Sequence, residues 1–79
     1  MNNRMSEGYR DTVKTANGKY LLVDSRDTFD HGYETMVFRC DENGAVDNWL
    51  DIDVDTYPTL PDMIKGHVQM INKWKERCI

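Results

Sequence analysis

A chain of 79 residues has room for one domain, and a chain this short buries too small a share of its surface to wall off a deep active site. Its formal net charge of −4 argues against a nucleic-acid binder, which needs a basic stripe to neutralise phosphates, and against an anionic membrane surface. A non-enzymatic, adhesive surface suits this size better than a catalytic cleft, and the carboxylates favour a partner protein with a basic surface.

Residues 1–8 are polar and aperiodic and read as a loose arm, leaving residues 9–79 as a single small α+β domain. A short first strand is predicted from Tyr9 to Thr15. Ala16-Asn17-Gly18-Lys19 follows as a hairpin turn, because Asn-Gly accepts positive φ. Lys19 to Asp24 (KYLLVD) is a strand rich in aromatic and branched residues. Ser25 to Gly32 (SRDTFDHG) reads as a long polar loop with Phe29 as its anchor.

Tyr33 to Cys40 and Ala45 to Asp55 form the main hairpin. A two-residue Asn43-Gly44 turn would mix oily and charged residues on one face. A three-residue Glu42-Asn43-Gly44 turn, with Gly44 left-handed, pairs Cys40 with Val46, Met36 with Leu50 and Glu34 with Ile52. That register gathers Met36, Phe38, Cys40, Val46, Leu50, Ile52 and Val54 on a core face. Tyr33, Thr35, Val37 and Arg39 then face outward, against Asp53, Asp51, Trp49 and Asp47, with Arg39 and Asp47 as an exposed ion pair.

Thr56-Tyr57-Pro58 ends the strand, and Thr59 caps a helix with Asp62 as the acidic partner of its capping box. The helix is predicted to run to about Arg77. Its apolar stripe is Leu60, Ile64, His67, Ile71, Trp74 and Cys78, and Gly66 lets it approach the sheet closely. The fold class is therefore α+β: a three- or four-stranded antiparallel sheet with one C-terminal helix packed on one face.

No apolar run reaches the ~20 residues of a membrane span, and MNNRMSEGYRD lacks the apolar core of a secretory signal. A cytoplasmic setting with reduced thiols is expected. Cys40 and Cys78 form no CxxC pair, and no phosphate loop, zincin motif or nucleophile elbow occurs, so neither metal nor cofactor is expected. His67, on the helix stripe, reads as a satisfied core histidine. His31 lies in the polar loop without a visible nucleophile. Asp51, Asp53 and Asp55 alternate along one strand and are expected to project together beside Trp49, as an aromatic spot ringed by charge.

The stretch YETMVFRCDENGAV, followed by Trp49, Tyr57, Gly66-His67 and Lys73-Trp74, resembles a group of short uncharacterised proteins encoded by phages and prophages, mainly of Firmicutes. The likeness spans roughly Lys19 to Trp74. Relatives in that group often have acidic residues where this chain has Leu60-Pro61. The resemblance implies a small phage accessory protein, a class that often acts by binding. The leading expectation is a protein that binds and inhibits a host protein, such as a CRISPR nuclease or another nucleic-acid-handling defence factor. Its partner-binding residues would be Trp49, Asp51, Asp53, Tyr33 and Val37. Two other readings stand beside it: a nucleotide-signal sponge using Arg26 and His31 of the polar loop, and a homodimer or higher oligomer paired through the Trp49 face.

Overall fold

The computed structural model describes residues 8–28, 30 and 32–79, so the N-terminal arm up to residue 7, Phe29 and His31 lie outside the described residues. Four strands, β1 (Gly8–Lys14), β2 (Tyr20–Asp27), β3 (Tyr33–Cys40) and β4 (Val46–Tyr57), precede one helix, α1 (Leu60–Lys75). The strands form one antiparallel sheet in the order β1-β2-β3-β4, with the helix laid across one face. This is the α+β architecture the sequence predicts, with four strands, although Gly8 belongs to β1 rather than to the arm.

The first and third connections solve one steric problem in the same way. Each is a three-residue loop closed by a glycine of positive φ, Gly18 at 80° and Gly44 at 85°. In the third, the Asp41 amide donates to the Ala45 carbonyl at 3.0 Å, and the Asp41 carboxylate accepts from the Asn43 and Ala45 amides at 2.8 and 3.0 Å. Cys40 therefore pairs with Val46, as the turn chemistry predicts.

Beyond that pair the register departs from expectation. β-Bulges between Phe38 and Cys40 and between Val37 and Phe38 let β4 run ahead of β3. Phe38 meets Asp51, Val37 meets Asp53, and Met36 meets Val54 rather than Leu50. Glu34 meets Thr56 rather than Ile52. A bulge places two residues of one strand against one of its neighbour. Consistent with this, both Ile52 and Asp53 reach the helix side: Ile52 packs on the core there, and Asp53 bonds to the helix.

Except for Ile52, which packs on the core as expected, the expected faces are exchanged. Under the helix lie Val13, Leu21, Val23 and Val37, joined by Met70, Ile52, Ile71, Trp74 and Ile79. Leu22, Phe38 and Cys40, with Tyr20, Met36 and Val46, form a second cluster on the opposite face. Val37, expected outside, is fully buried, whereas Leu50, expected in the core, is exposed. Alternation along β3 shows two apolar sets, and bulk misleads in choosing between them. The helix sits over the small, branched set, where its backbone can come close. The bulky set is closed by the start of β4 and the third connection, with Val46 packed on it and Gly44 against Thr12 of β1.

The polar run Ser25-Arg26-Asp27, expected in a loop, continues β2 and pairs with Thr35, Glu34 and Tyr33. Ser25 and Thr35 are fully buried beneath the helix, their hydroxyls 2.6 Å apart. His67 closes over them, with Nδ1 2.6 Å from the Ser25 hydroxyl and Nε2 2.7 Å from Asp11 Oδ2. A serine is tolerated there because its hydrogen bonds are met.

Thr59 caps α1 as its sequence predicts: its hydroxyl donates to the Asp62 carboxylate at 2.8 Å and accepts the Asp62 amide at 3.3 Å. The buried helix face is Met63, Gly66, His67 and Met70, so the stripe is rotated from the expected one. Ile64 and Cys78 are exposed. Gly66 sits against the ring of Tyr57, with no room for a side chain between them. Past the helix, Arg77 and Ile79 are bonded to Ala16 and Asn17 of the first turn, which ties both ends of the domain together.

Candidate functional site

The sheet face opposite the helix is covered at its turn end by the chain itself, where the third connection folds back until Gly44 meets Thr12 Oγ1 of β1, and it is open toward its other end. Along β2 it presents Tyr20, Leu22, Asp24 and Arg26, and along β3 Glu34, Met36, Phe38 and Cys40. One end is apolar. Leu22, Phe38 and Cys40 are buried there with Tyr20, Met36 and Val46 packed against them, and Trp49 lies edge-on to Phe38 with ring centroids 5.0 Å apart. Trp49 is nevertheless 61% exposed. The other end is charged: Asp24, itself buried, accepts from Arg26 at 2.5 Å and faces Arg10 at 3.4 Å. Between the two ends lies a shallow cleft of about 190 Å³, lined by Asp24, Arg26, Glu34, Met36, Phe38 and Trp49.

The structure divides the five residues expected to act together. Trp49 and Asp51, the latter opposite Phe38, share the open face. Val37 and Asp53 lie beneath the helix, and Tyr33 pairs with Tyr57 at the far end of the sheet on the parity of Thr35 and Val37. Asp53 accepts from Lys73 Nζ at 2.7 Å and Trp74 Nε1 at 3.0 Å. Burial raises its pKa, but the bonds from Lys73 and Trp74, the Lys73 charge and the Val54 amide outweigh that, so the carboxyl ends below its ordinary value. The expected ion pair between Arg39 and Asp47 is not formed among the described residues.

The acidic strand has a further use. β4 is a sheet edge 12 residues long, whose outward amides would otherwise stand open. The Leu50 amide donates to Asn48 at 3.0 Å, the Val54 amide to Asp53 at 3.0 Å, and the Thr56 amide to Asp55 at 2.9 Å. Side chains thus occupy the donors that a foreign strand would need.

Two constellations invite a catalytic reading and do not support one. Asp11, His67 and Ser25 form a hydrogen-bonded chain, yet the Ser25 hydroxyl is fully buried and shared with Thr35, so no substrate reaches it. Cys40 packs beside Phe38 on the open face. Burial, then the charges of Asp41 and Asp47, push its thiol pKa up, which leaves a poor nucleophile. Among the described residues no group of three His, Cys, Asp or Glu side chains is placed to hold a metal ion, and no helix is long and apolar enough to cross a membrane.

Sequence reasoning missed Arg10, Asp24 and Phe38 as parts of this face. The signal was the alternation in β2, where Leu21, Val23 and Ser25 share one parity and Tyr20, Leu22 and Asp24 the other. No protein-family model matches the chain, and neither does any curated protein or solved structure.

Proposed function

We propose that this chain is a non-enzymatic protein-binding domain that docks through the exposed part of its sheet face opposite the helix, with Trp49 as the anchor. The observation that carries the reading is a tryptophan left 61% exposed against an otherwise buried phenylalanine. Exposed aromatic anchors bordered by charge are the usual energetic centres of protein interfaces. Inhibition of a host protein, for instance a nucleic-acid-handling defence factor, is the form of this function that the resemblance suggests. The contact is then Trp49 with Asp51 and the cleft beside them, since Asp53 is engaged by the helix and Val37 is buried beneath it.

The test is capture from a Firmicutes lysate on immobilised protein, read by mass spectrometry. Wild type and Val68→Ala, a change on the exposed side of the helix, are expected to retain the same host protein, and Trp49→Ala to lose it. Equal retention by Trp49→Ala, or no specific capture at all, overturns the proposal.

A further inference from the structure

Resting on the reading of Trp49 as the anchor of a docking face, we infer that the cleft beside it receives one arginine side chain of the partner protein, its stem against Trp49 and Met36 and its guanidinium on Glu34. The cleft extends from Phe38 and Trp49 toward the end of the sheet that the third connection leaves open.

The chain's two tryptophans are supplied differently. Trp74 is served from within. Lys73 Nζ lies 5.3 Å and Arg77 Cζ 5.8 Å from its ring centroid, and Asp53 accepts from both Lys73 Nζ and Trp74 Nε1. A cation over an indole beside a carboxylate is thus an arrangement this chain already builds. Trp49 has the aromatic surface and a carboxylate in the same cleft, but no cation. It is 61% exposed, its ring contact is with Phe38, and no Lys or Arg among the described residues lies over it.

Glu34 is the carboxylate left over. It is half-buried in β3 and faces Arg26 in register. Arg26 and Arg10 are both turned to Asp24, at 2.5 and 3.4 Å, and Glu34 forms no ion pair among the described residues. Glu34 and Phe38 stand four residues apart on one strand, roughly 13 Å at ~3.3 Å per residue, with Met36 between them. A side chain that lies along that span needs a long apolar stem and a cationic tip. Lysine meets this in part. Arginine meets it better, because its planar fork binds a carboxylate through two parallel bonds and its plane stacks on indole. The rival guest is an acidic side chain on Arg10 and Arg26. It would approach alongside the Asp24 carboxylate that both arginines already serve, and would leave Trp49 and Glu34 unused.

Amide and indole NMR of the full chain, titrated from about 1 to 50 mM with acetyl-arginine amide, tests this, a range suited to one side chain cut from its protein. Saturable shifts are expected at the Trp49 indole, Glu34 and Met36. They are expected to be strongest for the arginine probe, weaker for acetyl-lysine amide and weakest for acetyl-citrulline amide, which keeps the shape without the charge. Glu34→Gln is expected to weaken the arginine probe by about threefold or more, and Glu76→Gln, at the end of the helix, to leave it as in wild type. No saturable shift at these sites, an equal response to citrulline, or a stronger response to acetyl-glutamate amide overturns the inference. The lysate capture keeps the two readings apart, and loss of the host protein with both Trp49→Ala and Glu34→Gln is the expected result. A host protein lost with Trp49→Ala but held equally by Glu34→Gln ends the arginine inference and spares the docking face. One held equally by Trp49→Ala ends both.

Discussion

Replacing Gly66 by alanine sets two physical effects against each other at one atom. In the middle of an exposed helix the change stabilises by about 1 kcal/mol, because glycine gives up more backbone freedom on folding. Here the added Cβ would lie 2.2 Å from Cε1 of Tyr57 and 2.3 Å from its Cζ and hydroxyl oxygen. Two ring atoms and the hydroxyl cannot yield together unless the ring swings out of its seat. Forced repacking of this kind costs about 1–3 kcal/mol, and contact with the ring body places it in the upper half of that range. The net expectation is a loss of about 1–2 kcal/mol, opposite in sign to the propensity effect. Urea unfolding of four proteins reads it: wild type, Gly66→Ala, Tyr57→Leu and the double variant. In the Tyr57→Leu background the clash is gone, so Gly66→Ala is expected to become neutral or stabilising, giving a coupling of about 2 kcal/mol between the sites. A coupling below about 0.5 kcal/mol would refute the close approach of helix and strand at this point.

Asp53 has a folded pKa below its ordinary value, so its contribution to stability is fully present above the unfolded value of about 4 and is lost as pH falls through the folded one. Asp53→Asn is expected to cost about 1 kcal/mol at neutral pH, a modest figure because Lys73 is partly exposed, and to flatten the acid limb of the stability curve; parallel acid limbs for the two proteins would count against the bond to the helix. His67→Leu removes a hydrogen-bond partner of the buried Ser25 hydroxyl, and thermal melts should show a loss of about 1–3 kcal/mol, part of which Ser25→Ala recovers in the double variant. Unchanged melts would mean that the network under the helix is not needed. Asn48→Ala with Asp55→Ala frees the Leu50 and Thr56 amides at the edge of β4, and light scattering during slow heating is expected to show earlier aggregation at nearly unchanged stability. Identical onset would remove the guarding role of these side chains.

Local chemistry was legible in the sequence wherever a few neighbouring residues decide the outcome. Asn-Gly fixed the first and third turns, Thr59 with Asp62 fixed the helix start, and Gly66 announced a close approach. What failed was the choice between faces. The pattern Met36-Val37-Phe38 is apolar on both parities, so alternation alone cannot say which side meets the helix. The deciding features are non-local. Ser25 and Thr35 need a polar cap, and His67 supplies one only from the side where Val37 lies. The bulges in β4 are equally silent, because nothing in Asp47-Asn48-Trp49-Leu50 marks the extra residues that move Asp51 opposite Phe38. Ser25-Arg26-Asp27 read as loop for a related reason: polar residues in a central strand are legible only once their partners are known.

The same misplacement changes how a partner would be held. An inhibitor that occupies a basic groove must present carboxylates free of other duties. Asp53 is bonded to Lys73, Trp74 and the Val54 amide, Asp55 holds the Thr56 amide, and Asp24 lies buried between two arginines. Of the acidic residues once grouped with Trp49, Asp51 alone remains on its face without such a bond. Charge on this face therefore orients a contact more than it drives one, and the driving term is the apolar end around Trp49 and Phe38. Screening then has little to act on. The affinity for a protein that occupies the face should change by less than about threefold between 50 and 500 mM salt, where a groove-filling acidic protein making several ion contacts would weaken by orders of magnitude. A steep salt dependence that persists in Asp51→Asn would place the binding surface elsewhere on the chain.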